Sequence, residues 1–490
     1  MDERHDRTRK FLEQHLSEPN KFFSIPITIT ANIKLLESEN GQIMLESIVN
    51  MVSRFSERII LEMDKSELCS DLEKLIQDAG CAVGEKTQGI PEIVISVGST
   101  SMKGKFTVTV NSSGWISYVS CNSEIAKPME WLQNPIGAMG AACFASAEAF
   151  KRLLELTGCE KKWASKSKNL KFSFLDNSLS DSNAELKETI DLPKILLVGA
   201  GAVGSGFLYA MSKIACKGTI MVLDDDDVTR TNLNRCLTFF VDDINRKKSE
   251  IVQRLSNENL VISGEPIKFN DFNKERTEYP IVVSTVDNNE ARDEIQHYLP
   301  EIIFHGATGN NSAAVGVIKF LETACLCCIF ESAKSHEEII ASETGIPFEK
   351  VKNTIQNKEK FSQEHFEYMK KNFGNNADKF EQFIGIPFDQ VYKKEVCGKM
   401  EIKTKEGKKS PSIPFVSFFS GLMLASELIK YSSTDLHKFP MITKPDFLEM
   451  SLFSPHSYNP SRRTKNPNCK IECSEDRVKK VYSEKWGVDN

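Results

Sequence analysis

The stretch Lys194-Ile-Leu-Leu-Val-Gly-Ala-Gly-Ala-Val-Gly-Ser-Gly206, with its continuation Val222-Leu-Asp-Asp-Asp-Asp-Val-Thr-Arg-Thr-Asn-Leu-Asn-Arg235, decides the fold. Ile195 to Val198 is an apolar, branched run of strand length, and glycines follow at 199, 201 and 204. Phe207 to Met211 then reads as the first turns of a helix. Strand, glycine turn and helix in this order form a phosphate-binding unit: glycines permit a tight turn and close backbone approach, and the helix N-terminus offers unpaired N–H groups. A second strand over Thr219 to Leu223 ends at Asp224, placed to accept hydrogen bonds from ribose hydroxyls.

A glycine triplet alone would suggest a dinucleotide. The run after Asp224 changes that reading. Asp224-Asp-Asp-Asp-Val-Thr-Arg-Thr-Asn232-Leu-Asn-Arg235 resembles the signature of the ubiquitin-activating enzyme and ThiF/MoeB adenylyltransferase superfamily, bacterial ubiquitin-like-protein activating enzymes included. The resemblance implies that Asp224 binds ribose and that Asn232, Arg235 and a later lysine hold the phosphates of ATP. Lys248, 13 residues beyond Arg235, lies where the family's lysine does, on a helix expected over Arg246 to Leu255. Val286-Asp-Asn-Asn-Glu-Ala-Arg292 is similar to the family's strand-end Asp-Asn and Arg, with Asp287 serving Mg²⁺. Cys236 is a departure, because the family usually has Gln there. The resemblance covers roughly Leu192 to Cys473.

The chemistry of the residues agrees. Activating a carboxylate with ATP requires attack on the α-phosphate and departure of pyrophosphate. Loop amides, Arg235 and Lys248 can offset phosphate charge, and Asp287 can hold a metal against it. Taken singly, Arg235 and Lys248 read as surface charges and Asp287 as a helix N-cap. Their order beside the glycine turn is what assigns them to a nucleotide site.

At 490 residues the chain has room for two to four domains. A net charge of −6, mixed along the sequence with no long basic run, argues against a nucleic-acid protein. The charged N-terminus is no signal peptide and no apolar segment reaches spanning length, so neither secretion nor a membrane is expected. Thirteen cysteines in such a chain imply reduced thiols and a cytoplasmic location.

An α/β architecture follows, with a Rossmann-like adenylation domain built on a mixed, mostly parallel sheet. Residues 1–180 lack the phosphate-site features and are expected to form a degenerate adenylation-like domain. Pro91 to Val97 reads as a strand, Lys105 to Val110 and Trp115 to Val119 as a hairpin about Asn-Ser-Ser-Gly, and Gly137 to Leu156 as an Ala-rich helix. Ala145-Ser-Ala-Glu-Ala-Phe-Lys151 parallels Leu424-Ala-Ser-Glu-Leu-Ile-Lys430, which would make the chain a pseudo-dimer of two such folds. Lys161 to Asp191 is polar and reads as the connection.

The active domain is expected over 181–331, with later strands at Ile281 to Thr285, Ile302 to Phe304 and Ala314 to Phe320. Residues 332–411 form a charged, helical insertion with an internal echo, Gly345-Ile-Pro-Phe-Glu-Lys-Val351 and Gly385-Ile-Pro-Phe-Asp-Gln-Val391. Proline followed by an acid starts a helix well. Residues 412–490 return to the adenylation domain, beginning with a helix over Ser412 to Lys430.

Three further assignments come from the resemblance. His5-Asp-Arg7-Thr-Arg9 is similar to a family N-terminus whose arginine reaches across a dimer to ATP, which makes Arg7 a candidate; its plain reading is a solvated basic face. Cys397 lies just before the helix that follows the family's thioester-forming cysteine, and Lys393, Lys394 and Lys399 would favour its thiolate. Cys325 with Cys328, and Cys469 with Cys473, look like the family's paired zinc ligands; four thiolates make a closed structural S₄ site. The family implies ATP, Mg²⁺ and Zn²⁺ as cofactors, a ubiquitin-like or sulfur-carrier protein ending in glycine as partner, and a conjugating enzyme as the next acceptor. Bacterial ubiquitin-like conjugation and antiphage operons contain activators of this build. Sulfur transfer for thiamine or molybdopterin, a non-catalytic nucleotide-binding scaffold, and pairing with a second copy all stay open.

Overall fold

Two sheets of the same strand order organise the computed structural model. It describes residues 18–86, 88–123, 134–158, 169–186, 189–272, 279–309, 312–330, 340–341, 344–388, 413–433, 446–455, 458–467 and 469–488, with positions 5, 8, 9, 12, 13, 16 and 441. One compact unit comprises residues 1–329 and 410–490, and a second comprises 330–409.

In the N-terminal half β1 (Ile27–Ala31) leads to helix α1 (Glu39–Val52) and β2 (Arg58–Leu61). Helix α2 (Glu67–Asp78), β3 (Ala82–Val83), β4 (Ile93–Val97), β5 (Phe106–Ser113) and β6 (Ile116–Cys121) follow. Helix α3 (Ile136–Leu156) then crosses to β7 (Asn169–Ser173). The sheet order is β3-β2-β1-β4-β5-β6-β7, parallel as far as β5 and antiparallel through β6 and β7.

The second half repeats this plan. After the short β8 (Ile190–Asp191) come β9 (Ile195–Val198), α4 (Ala202–Lys213), β10 (Cys216–Leu223), β11 (Leu260–Glu265) and β12 (Ile281–Ser284). Helix α5 (Asn289–His297), β13 (Ile302–Gly309) and β14 (Ser312–Lys319) complete the part before the insertion. In the insertion, α6 (Phe348–Gln356) and α7 (Gln363–Phe373) close on a core of their own that includes Ile346, Val351, Phe361, Phe366 and Phe380. Helix α8 (Pro414–Ser432) returns to the sheet, followed by β15 (Phe447–Ser451), β16 (Tyr458–Ser461) and α9 (Asp476–Trp486). The order is β11-β10-β9-β12-β13-β14-β15-β16, again parallel through β13 and antiparallel after it.

Helices α3 and α8 hold equivalent places, each joining the second hairpin strand to the next antiparallel strand. Both are buried almost all round, which their small and aromatic residues permit. They share one core: Phe144 and Phe172 pack on Phe419 at ring distances of 5.3 and 5.6 Å, and Phe150 packs on Phe415 at 5.5 Å. The matched Glu and Lys of the two sequence segments form matched buried ion pairs, Glu148–Lys151 at 2.5 Å and Glu427–Lys430. Lys430 also donates to the carbonyls of Phe174 and Leu175, and Asn177 Nδ2 donates to Glu427 at 2.7 Å, so the second pair ties α8 to the turn after β7.

Two local expectations change. The hairpin strands run through Asn111, Ser112 and Ser113, and Gly114, at φ 55°, takes the turn. Their polar side chains do not break the ladder: Asn111 Oδ1 accepts the Ser112 N–H, and Ser113 Oγ accepts from Asn183 Nδ2, 70 residues on. The polar connection also contains β7, whose Leu170 and Phe172 face the core while Lys171 faces outward. A two-residue apolar alternation amid Ser and Lys gave no periodic signal to read.

Candidate nucleotide site and candidate metal centre

The carboxyl end of β9, which with β12 flanks the point where the strand order reverses, is where an open α/β sheet binds its ligand. Gly199 stands in the turn after β9 at φ +94°, and a Cβ on Gly204 would lie 2.0 Å from the Gly199 carbonyl oxygen. Only glycine allows this closure. By contrast a Cβ at Gly201 would meet nothing within 4 Å, so the N-terminus of α4 is open there. That opening fits a phosphate group approaching the backbone.

Asp224, the residue after β10, folds back onto this turn. Its Oδ2 accepts the Ala200 N–H at 2.6 Å and its Oδ1 accepts the Asp226 N–H at 3.0 Å. Burial pushes its carboxyl above the usual carboxylate range, against the pull of Lys248 and of those two amides. Lys248 Nζ is 3.8 Å from Asp224 and 2.6 Å from Asp226. Its ammonium is held above the ordinary lysine value: burial alone would lower it, and Asp224 and the hydrogen bond to Asp226 more than offset burial. The short helix Lys248–Ile251 is tied to the strand end by Ser249 Oγ, which donates to the Asp224 carbonyl at 2.9 Å.

Asn232 and Arg235 lie in and just after the 3₁₀ turn Arg230–Asn232. The Asn232 carboxamide oxygen accepts from the Thr229 N–H at 2.8 Å, capping the turn, so its Nδ2 donors are what it can offer a phosphate. Arg235 is nearly buried; its Nη1 donates to the Thr231 carbonyl at 2.6 Å and to Asn234 Oδ1 at 2.9 Å. Cys236 beside it is fully buried, and burial raises its thiol while the charges of Arg235 and Lys248 act to lower it. Both cations thus act electrostatically on the same buried thiol.

Asp287 follows β12, the strand beside β9, and is exposed. It does not cap α5: Asn288 does, accepting the Ala291 N–H at 2.8 Å. Arg292 on α5 is buried enough to lower its guanidinium from the usual value, with Asp287 opposing that shift. Thr285 is a residue that sequence reasoning missed. Its Oγ1 donates to the Gly199 carbonyl at 2.6 Å, pinning the glycine turn from β12. A threonine just after a strand carries no signal that would have found it. Arg7 and Cys397 lie outside the described residues.

The second cluster is the cysteine tetrad. Cys325, Cys328, Cys469 and Cys473 bring their sulfurs within 4.8 Å of one another, all buried. The separations are 3.5 Å for Cys325–Cys328, 3.4 Å for Cys325–Cys469 and 3.5 Å for Cys328–Cys473. A tetrahedral S₄ site with metal–sulfur bonds of about 2.3 Å has edges of about 3.8 Å, which the tetrad nearly matches. Glu472, at φ 52°, turns the chain so that the wider second pair can face the first. Asn466 N–H donates to Cys328 Sγ at 3.2 Å, as an amide does to a bound thiolate. Cys327 is not one of the four sulfurs and donates to Asp293 at 3.1 Å. Helix α9 closes over the cluster: Tyr482 Oη donates to the Glu301 carbonyl and Trp486 Nε1 to that of Leu299, each at 2.7 Å.

A glycine turn locked by a strand-end acid that pairs with Lys248, on an open α/β sheet, defines a nucleotide-binding α/β protein. The chain belongs to the ThiF family, whose model matches residues 175–471. Its fold is accordingly the ThiF-type adenylation fold. Residues 26–165 match the model of the BilD N-terminal domain.

Among curated relatives, the uncharacterized protein y4jF of Sinorhizobium fredii (strain NBRC 101917 / NGR234) is 26% identical over 475 residues, 91% of this chain and 88% of that one. The ubiquitin-like modifier-activating enzyme 1 of Rattus norvegicus is 26% identical over 228 residues, 42% of this chain and 20% of that one. The sulfur carrier protein ThiS adenylyltransferase of Escherichia coli (strain K12) is 35% identical over 81 residues, 16% and 30% respectively. Of solved structures, E. coli MccB with ATP aligns with a TM-score of 0.38 at 14% identity, covering 75% of this chain and 98% of that chain. Among the described residues no helix is long and apolar enough to cross a membrane.

Proposed function

We propose that this protein activates the C-terminal glycine of a ubiquitin-like protein with ATP and then carries it as a thioester. One observation carries the nucleotide part: the Asp224 carboxylate binds the Ala200 amide of the glycine turn and stands beside the Lys248 ammonium. An acceptor for ribose hydroxyls and a donor for phosphate oxygens are thereby held next to one open turn.

In this reading Asp224 orients the ribose, the amides after Gly199 take phosphate oxygens, and Asn232, Arg235 and Lys248 offset the phosphate charge. Asp287 would hold Mg²⁺, which when bound neutralises charge on the phosphates. The partner's terminal carboxylate oxygen attacks the α-phosphorus as the bond to pyrophosphate breaks, leaving an acyl-adenylate. The Cys397 thiolate then attacks the acyl carbon and AMP departs. Residues 1–180 act as an inactive adenylation-like domain, which the repeated strand order supports. The cysteine tetrad would hold one structural Zn²⁺.

The similarity to a ThiS adenylyltransferase favours a second reading, adenylation of a sulfur-carrier protein without a thioester on this chain. Intact-mass measurement under non-reducing conditions separates the two. The full chain is incubated with ATP, Mg²⁺ and a glycine-ended carrier, as wild type and as Cys397→Ala. An adduct removed by thiols and absent from the variant supports the thioester; carrier-dependent pyrophosphate release without an adduct supports the second reading; no ATP turnover sinks both.

A further inference from the structure

Arg54, just beyond α1 in the N-terminal half, is fully buried, yet its guanidinium faces the other half. Its Nη1 donates to the carbonyls of Leu233 at 3.2 Å and Phe239 at 2.6 Å, and its Nη2 to that of Leu237 at 3.1 Å. Asn50, one helical turn earlier, accepts from Arg54 Nη2 on its Oδ1 at 2.8 Å and donates from Nδ2 to the Leu237 carbonyl at 3.1 Å. The Phe240 ring lies 5.0 Å from the guanidinium carbon. Leu233, Leu237 and Phe239 are all buried, so their carbonyls need partners from protein.

This segment is the one that carries Arg235 and leads on to Lys248. It is irregular backbone that forms no strand ladder of its own, and a planar fork of five donors suits three converging oxygens as a single ammonium does not. Two of those carbonyls, of Leu233 and Leu237, lie two residues before and two residues after Arg235. From the N-terminal arm, Thr8 Oγ1 accepts Asn234 Nδ2 at 3.2 Å, and Asn234 in turn accepts from Arg235. The N-terminal half thus grips the loop on both sides of Arg235.

We propose that Arg54 is a positioning residue for the nucleotide site, clamping the 233–239 loop by its carbonyls so that Asn232 and Arg235 face the phosphates. The inference rests on the nucleotide reading above. It gives the N-terminal half a defined duty: without chemistry of its own, it sets the geometry of the other half's phosphate ligands.

The test uses the full chain as wild type, Arg54→Lys, Arg54→Met and a control, Lys151→Met, which breaks a buried pair in the same half away from the loop. Equilibrium binding of MgATP, melting temperature and amide exchange over 232–240 are read for each. The expected result is that Arg54→Met raises the Kd for MgATP tenfold or more and speeds exchange in the loop. Arg54→Lys recovers part of the affinity. Lys151→Met lowers the melting temperature while its Kd stays within twofold of wild type.

A folded Arg54→Met with wild-type affinity overturns the proposal, as does a Lys151→Met that weakens MgATP equally. Should Arg54→Met not fold, Arg54→Lys and Arg54→Gln decide on the same readouts. A wild-type chain that binds no MgATP overturns the nucleotide reading itself, a failure visible without any variant.

Discussion

Asp224 Oδ2 and the Ala200 N–H meet at 2.6 Å, so the acid at the end of β10 is also the lock on the glycine turn at the end of β9. Because folding raises the Asp224 carboxyl, the ionised form opposes folding: stability from this group is full at low pH and lost as pH rises through the raised value. Ligand binding needs the opposite state. Asp224→Asn should therefore hold or raise the melting temperature at neutral pH while weakening MgATP about tenfold or more, the worth of a charge-assisted hydrogen bond. On acidification, wild-type affinity should start to fall above the usual carboxylate range, and the variant should lack that inflection.

Gly201 and Gly204 separate binding from folding. At Gly204 an added methyl has to displace the Gly199 carbonyl, so Gly204→Ala should lower stability by roughly 1–3 kcal/mol, in the range of overpacking, and abolish MgATP binding with it. At Gly201 the space is open, so Gly201→Val should melt within a few degrees of wild type yet bind MgATP poorly. Paired melting and binding curves check both; equal losses at the two positions would contradict the open turn.

The tetrad predicts one zinc per chain by elemental analysis and none in Cys469→Ser. With free metal about 1,000-fold above its Kd, linkage is worth about 4 kcal/mol, so chelation should lower the melting temperature measurably. Cys327→Ser should keep its metal, because Cys327 pairs with Asp293. Loss of zinc in that variant would redraw the ligand set.

Breaking the Glu427–Lys430 pair strands a charge in a fully buried place, which costs roughly 3–5 kcal/mol. Lys430→Met should show a loss of that order in chemical denaturation. Lys430→Met with Glu427→Leu should be less unstable than the sum of the single variants, since neither charge is then left alone.

Much of this architecture was legible in the sequence. The sequence order put Asp224 and Lys248 beside the glycine turn, and the structure brings these residues together; their duty towards phosphate, with that of Arg235, is the proposal made above. The Glu-x-x-Lys shared by 148–151 and 427–430 pointed at the repeated fold, and the two ion pairs occupy equivalent helices. What stayed hidden were contacts made by common residues through backbone groups. Thr285 acts through the Gly199 carbonyl and Arg54 through three carbonyls, none of which leaves a mark in a sequence. Strand β7 was lost among serines and lysines, because a five-residue strand with two inward side chains lacks a readable period.

The core shared by α3 and α8 has a kinetic meaning. Two such sheets on separate chains would part on dilution, and whatever one gives the other would depend on how much protein is present. Here covalent continuity sets their effective concentration, so the grip of one half on the other is the same at any protein level. The two sheets are also released from having to be identical: one can drift from nucleotide chemistry entirely while remaining the surface against which the other is shaped.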